Sequence, residues 1–478
     1  MENKKVKIVS IISIIALVIT VIGATYAYFV AQTGEGKSTD IKINANTVDT
    51  FTFEAGSALN LSLNQENFAS GKGNQSDTTF AKAMLTANNK TNTATEHYYM
   101  YLDISENTFT YTQDENTPEI LLTIKDANGN AITSITGLTH KTVTDGKGAS
   151  ISGFDITTKK EAITLFNNRE ITANPTKTEQ WNITVTFVNY NANQAGNAGK
   201  NFTAKLMIQK EKILTLAEHV ISQYTGTQGD NALYYHNSTL TNGAGDNSYR
   251  YAGASDSVNN YICLGSDVAT CPDANLFRII GVFGDQTKVI RAKSVGNKQW
   301  HTSESNTWSS SSLNAYLNGE YLTSLGTLAD KIATTTWKAG GGIWSNIVTS
   351  VPKTAYQNEV GSSASSTTVD KKIGLMYVSD YYYSASPSAW TLVGYNESDA
   401  TKDYRAAKTI NWLYLGSNEW TISRTSDITP YAFGMFSTGL VSNYGVTLSF
   451  GVRPSFNLLS SVTYASGSGT SSDPIRIN

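Results

Sequence analysis

The chain has 478 residues, more than one ordinary core holds, and its 40% hydrophobic content is enough to build two or three cores. Charged residues make up 16%, against roughly 25% in an average globular protein, so Asn, Ser, Thr, Gly and 26 Tyr must cover much of the surface. A net charge of −3, with no basic cluster beyond the N-terminal lysines, excludes nucleic acid as a partner, because phosphate binding needs grouped Lys and Arg.

Lys4, Lys5 and Lys7 precede an uncharged stretch over 8–34. Its apolar part, 8–31, is long enough to cross a hydrocarbon core of about 30 Å as a helix. Ile8, Ile11, Ile15, Leu17 and Val21 lie in the apolar run, and Tyr28 and Phe29 sit near its outer end, where aromatic rings favour the interface. The lysines hold the N-terminus in the cytoplasm. The same stretch also fits a signal peptide, with its apolar region at 8–22 and a small residue, Ala27, at a cleavage point. Anchor and cleaved signal both place the remainder outside. The expected location is the extracellular face of a bacterial membrane, or the cell surface and medium if the signal is removed. No Leu-Pro-x-Thr-Gly word occurs, so covalent wall attachment is not expected.

The expected organisation is an export segment over 1–31, a β-sandwich over 33–210, a linker helix over 211–226 and an α+β domain over 227–478. The whole is mainly β. In the first region Trp181, Ile183, Val185 and Phe187 alternate with polar residues at strand period, as do Phe202, Ala204, Leu206 and Ile208, and Met100, Leu102 and Ile104. Runs 119–125 and 131–135 flank Asn128-Gly129, a hairpin signal because both residues accept positive φ. Asp126-Ala127-Asn128-Gly129-Asn130 reads as a turn and not a calcium loop, since an EF-hand needs glycine at its sixth position and glutamate at its twelfth. Pro175 stands ahead of the Trp181 strand, where it removes no ladder hydrogen bond.

Gly23-Ala24-Thr25-Tyr26-Ala27-Tyr28-Phe29, followed by Ile41-Lys42-Ile43 and a β-rich region, resembles the start of camelysin-type and TasA-like fibre proteins of Gram-positive bacteria. That resemblance implies an exported, jelly-roll-like domain able to self-assemble. It carries no active-site residue onto this chain.

In the second region Ile213, Leu214, Leu216, Ala217, Val220 and Ile221 recur at helical spacing. Segments 275–283 and 288–291 predict a hairpin around Gly284-Asp285-Gln286, and 308–318 a helix with a serine N-cap. Strands are expected over 373–378, running into Tyr381, Tyr382 and Tyr383, then over 420–424, 432–436, 450–458 and an edge at 474–477. Cys263 and Cys271 are close together in an exported chain, which favours a disulfide, with two free thiols as the alternative. His219, His236 and His301 have no ligand-like spacing with them, so no metal site is expected.

Asp246-Asn247-Ser248-Tyr249-Arg250-Tyr251-Ala252-Gly253, Asn260-Tyr261-Ile262-Cys263, Ser312-Leu313-Asn314, Tyr316-Leu317-Asn318 and Gly451-Val452-Arg453-Pro454 occur in that order. They resemble a group of bacterial surface domains without assigned function. Those domains look like distant members of the C-type lectin-like and formylglycine-generating-enzyme-like fold. The calcium-lectin words Glu-Pro-Asn, Gln-Pro-Asp and Trp-Asn-Asp are absent, and the cysteines do not match the formylglycine enzyme. The resemblance therefore implies a fold without an activity.

Metalloprotease, nucleophile-elbow, P-loop and dinucleotide motifs are absent, and no catalytic residue or cofactor is assigned. Arg453 before Pro454 reads as structural. Seven of the eight tryptophans follow residue 299. Trp390, after Ser384-Ala385-Ser386-Pro387-Ser388, and Tyr381, Tyr382 and Tyr383 near it are candidates for ligand contact on a loop, as are Trp337 and Trp344 beside Gly340-Gly341-Gly342. The expectation is a non-catalytic adhesin or ligand-binding protein meeting a glycan, a matrix component or a host protein. A fibre subunit assembling through strand edges and a wall-acting enzyme are the alternatives.

Overall fold

The computed structural model describes residues 31–32, 49–68, 71–88 and 92–478. The chain divides into two compact units, Met1–Lys212 and Ile213–Asn478. Among the described residues, no helix is long and apolar enough to cross a membrane. The candidate export residues Ile8, Ile11, Ile15, Leu17, Val21, Tyr28 and Phe29 lie outside the described residues. At its far end, the backbone of Ala31–Gln32 pairs antiparallel with Ile208 and Met207.

The first unit holds two antiparallel sheets around one core. In one, Asn201–Gln209 lies between Ala31–Gln32 and Ala94–Asn107, Ile163–Ala173 follows, and Leu59–Ser62 also pairs with Asn201–Gln209. The other runs Thr50–Ala55, Gln75–Thr86, Thr176–Phe187, Ile120–Asp126, Ser150–Asp155, His140–Thr144. Strand alternation explains the packing. Trp181, Ile183, Val185 and Phe187 from one sheet share a core with Met100, Leu102, Ile104, Phe202, Ala204, Leu206 and Ile208 from the other, while most residues between them, Thr186 and Tyr101 excepted, face out or stay half-buried.

The expected 119–125/131–135 hairpin is cut short. Asp126 accepts from the backbone N of Asn128 and of Asn130, each at 2.8 Å, and from Asn130 Nδ2 at 2.9 Å, which fixes a turn. Ala131 then makes one bridge to Lys125. One edge of Ile120–Asp126 is taken by Thr176–Phe187 and part of the other by Ser150–Asp155, so little ladder remains for 131–135.

The second unit opens with helix Leu216–Ser222. Thr215 and Glu218 form a capping box, and Leu216, Ala217 and Val220 are buried in this unit's core. A seven-stranded sheet runs Leu233–Tyr235, Tyr249–Tyr251, Leu276–Phe283, Gln286–Arg291, Ser455–Leu458, Ile373–Gly374, with Tyr261–Cys263 also on Leu276–Phe283. Gly284, at φ 65°, makes the hairpin turn the sequence predicts there. A five-stranded sheet runs Asn297–Gln299, Ser449–Gly451, Glu419–Arg424, Tyr431–Met435, Val441–Gly445. The predicted strand over 450–458 is broken at Val452-Arg453-Pro454, and its halves join different sheets. Arg453 there donates to Leu413 O at 2.6 Å and to Glu419 Oε2 at 2.7 Å. Cys263 and Cys271 form a disulfide.

The expected strand over 373–378 is corrected. Its ladder stops at Gly374, and Val378–Tyr383 is a helix. Two buried carboxylates start that helix. Glu359 accepts from Val378 N at 2.8 Å and Ser379 N at 2.9 Å, and Asp380 accepts from Tyr377 N at 2.8 Å. These satisfy amides that a helix N-terminus otherwise leaves without acceptors.

Candidate functional site

The structure buries most of the aromatic residues expected to contact a ligand. Tyr381 and Tyr382 are 0% exposed, and Tyr383, Trp390 and Trp337 are 1% exposed. Each polar tip is spent on a backbone carbonyl: Tyr381 on Gly439, Tyr382 on Ile347, Tyr383 on Asn242, Trp390 on Ala385 and Trp337 on Lys371. The loop-aromatic reading of Trp390 and the three tyrosines is therefore corrected. Helix Val378–Tyr383 turns its tyrosines into the protein, and the stretch after it folds back so that the Trp390 ring packs against Tyr234, His236 and Tyr383. Trp344 is half-buried at the start of Trp344–Ile347. Of these candidates, Trp337 lines a cavity in the second unit.

That cavity, about 210 Å³, lies against the seven-stranded sheet of the second unit. Leu276–Phe283 and Gln286–Arg291 contribute Phe283 and Lys288, Tyr249–Tyr251 contributes Arg250, and the helix after Tyr377 contributes Asp380. Trp337, Tyr356 and Tyr377 complete its aromatic wall. Lys288 is 5% exposed because its strand lies inside the sheet and is covered on both faces, Thr287 to Ile290 all being buried.

The charges form a chain. Lys288 Nζ donates to Asp380 Oδ2 at 2.5 Å. Arg250 Nη1 lies 3.8 Å from Asp380 Oδ1, and Arg250 Nη2 donates to Asp246 Oδ2 at 2.6 Å. Asp246 also accepts from Tyr356 Oη at 2.9 Å and from the Ser248 hydroxyl at 2.6 Å. Rings surround both cations. Lys288 Nζ is 4.6 Å from the Tyr377 centroid and 5.5 Å from that of Trp337. Arg250 lies 4.7 Å from Phe283 and 5.2 Å from Tyr356.

Burial lowers the pKa of Lys288, and Asp380 acts against that lowering. Burial alone would raise Asp246, but the Arg250 charge and the Ser248 hydrogen bonds outweigh it and hold the carboxyl well below its ordinary range. Burial raises Glu359 despite its hydrogen bonds from Ser379 and Ser423.

The two cations are not saturated. An ammonium has three N–H donors and a guanidinium five. Among the described residues, Lys288 Nζ makes one hydrogen bond, and Arg250 Nη1 makes none within hydrogen-bond distance. The arrangement can therefore hold a charge. The carboxylates are occupied by the cations, the Tyr356 and Ser248 hydroxyls and two backbone amides, of Ser248 and Tyr377, which leaves little for moving a proton. Among the described residues, no group of three His, Cys, Asp or Glu side chains is placed to hold a metal ion.

Sequence reasoning passed over Arg250, Lys288 and Asp380 as site residues. The signal available was Lys288 running directly into Val289 and Ile290 in a predicted strand, since an ammonium buried with them requires a partner. No family model, curated protein or solved structure matches this chain.

Proposed function

We propose that this chain is an exported, non-catalytic ligand-binding protein of the bacterial surface, with its ligand seated in the cavity around Arg250, Lys288 and Asp380. One observation carries the reading: an aromatic-walled cavity of about 210 Å³ holds two buried cations with unspent N–H donors. Cavities that combine apolar walls with a few convergent polar groups are the usual form of a small-molecule site. The occupied carboxylates favour holding a ligand over transforming one.

Export is supported by the three lysines before the apolar 8–31 stretch, acting as a membrane anchor or a cleaved signal. The Cys263–Cys271 disulfide supports an oxidising exterior. In this reading the first unit is a jelly-roll-like stalk, and the second is a C-type lectin-like α+β domain that presents the site. The ligand is part of a glycan, a matrix component or a host protein.

The test is thermal unfolding of the full chain in mild detergent, with sugars, amino acids, carboxylates, amines and phosphates added in turn. Val360→Trp, which places an indole at a half-buried residue of the cavity lining, is the control. At least one compound class should raise the second unit's transition saturably in the parent and not in the variant. No response to any class, or an equal response in both proteins, overturns the binding reading. Protease added to intact cells should cleave the second unit, and full protection there overturns export.

A further inference from the structure

We propose that the cavity selects a singly charged carboxylate carried on a compact, ring-sized apolar body. The inference rests on the ligand-binding reading above and deepens it.

Three features lead to this class. The first is charge. Arg250, Lys288 and Lys338 line the cavity against Asp246 and Asp380, three cations to two carboxylates. One added negative charge neutralises the set. A dianion such as phosphate at neutral pH would overshoot it, close to two carboxylates that stay in place.

The second is donor geometry. Arg250 Nη1 and Lys288 Nζ both stand by Asp380, at 3.8 Å from Oδ1 and 2.5 Å from Oδ2. An anion entering the cavity meets both free donor sets together. A planar carboxylate has two oxygens to accept from them, and such charge-assisted hydrogen bonds are among the strongest a protein makes. A cationic ligand would be repelled by the same pair, and a neutral one would leave it unused.

The third is the wall. Phe283, Trp337, Tyr356 and Tyr377 bring aromatic surface to the cavity; the Tyr356 hydroxyl donates to Asp246, and the Tyr377 oxygen accepts from the Lys338 amide and keeps its own proton to donate. What these rings offer the ligand body is mainly apolar area. A volume of about 210 Å³ accommodates a ring-sized group. The Lys288 amine, which burial makes harder to protonate, gains from an anion placed beside it.

The test is isothermal titration of the full chain with benzoate, benzamide, benzylamine and inorganic phosphate, repeated on Val360→Trp. Benzoate should bind saturably and at least about tenfold more tightly than benzamide, the ratio expected when one charge-assisted contact is lost. Val360→Trp should abolish the binding. The ranking is read on the unaltered protein, so it does not depend on a charge variant that fails to fold. If benzamide or benzylamine binds as tightly as benzoate and Val360→Trp blocks it, the carboxylate assignment falls while the ligand site stands. If phosphate outcompetes benzoate, the single-charge argument falls. If none of the four binds, the carboxylate assignment falls, and the wider compound panel decides the ligand-binding reading separately.

Discussion

Lys288 Nζ and Asp380 Oδ2 lie 2.5 Å apart, and the two side chains are 6% and 2% exposed. Neither charge has bulk water to fall back on. Asp380→Asn keeps an acceptor for Tyr377 N but removes the countercharge, leaving an ammonium in a low-dielectric site. Breaking one side of such a pair costs about 3–5 kcal/mol. Lys288→Met combined with Asp380→Asn removes both charges and should cost less than the single variant. Tryptophan fluorescence in a urea titration of the full chain checks this, because seven of the eight indoles belong to the second unit. A double variant as unstable as Asp380→Asn would show that the two charges do not compensate each other.

The same pair shows why the sandwich was easier to read than the site. Strand period in the Trp181 and Phe202 segments marks the buried face directly, and both segments fold as predicted. The cavity depends on residues far apart in sequence: Arg250 and Lys288 from two strands, Trp337 from a third and Asp380 from a helix. No local pattern encodes their convergence. The strand expected over 373–378 stops at Gly374 and gives way to helix Val378–Tyr383 for a related reason. Three successive tyrosines favour a strand by propensity, but Glu359, about twenty residues upstream, caps the first turn with its buried carboxylate. Tertiary capping overrode local preference there, and the predicted exposed tyrosines became core.

His236 should give the second unit an acid-sensitive step. Its ring is 0% exposed, 4.8 Å from the Tyr383 centroid and 5.1 Å from that of Trp390. Nδ1 accepts from Ala244 N at 3.1 Å, which requires the neutral tautomer with its proton on Nε2. Burial first, and then the Arg250 charge, hold its pKa well below 6.5, against a smaller opposing pull from Asp246. The folded state therefore binds a proton less readily than the unfolded state. Stability from this residue is complete above about 6.5, the unfolded value, and falls as pH drops toward the folded one. The slope approaches about 1.4 kcal/mol per pH unit. His236→Asn, whose Oδ1 can replace Nδ1 as acceptor, should remove that slope between pH 6.5 and 5. Urea midpoints across the range measure it, and an unchanged slope in the variant would assign the acid sensitivity to another group.

The disulfide loop is held twice, and the two restraints should separate experimentally. Cys263 and Cys271 close a loop with a sequence separation of 8. From the C-terminal strand Arg476–Ile477, Arg476 Nη1 donates to Ser266 O at 2.7 Å, and Nη2 donates to Val268 O at 2.8 Å and Ala269 O at 3.0 Å. Closing so short a loop contributes about 2–3 kcal/mol in the chain-entropy model, so Cys263→Ser with Cys271→Ser should lower the second unit's stability by that amount. Arg476→Gln leaves the covalent link but removes a cation that satisfies three loop carbonyls. It should cost less in global stability and loosen the segment around Val268, which is already 56% exposed. A broad-specificity protease would then nick Arg476→Gln inside 264–270 faster than the parent. The two fragments should stay joined on a non-reducing gel and separate on a reducing one. Equal nicking rates in parent and variant would mean that the disulfide alone fixes the loop and that the Arg476 contacts add nothing to it.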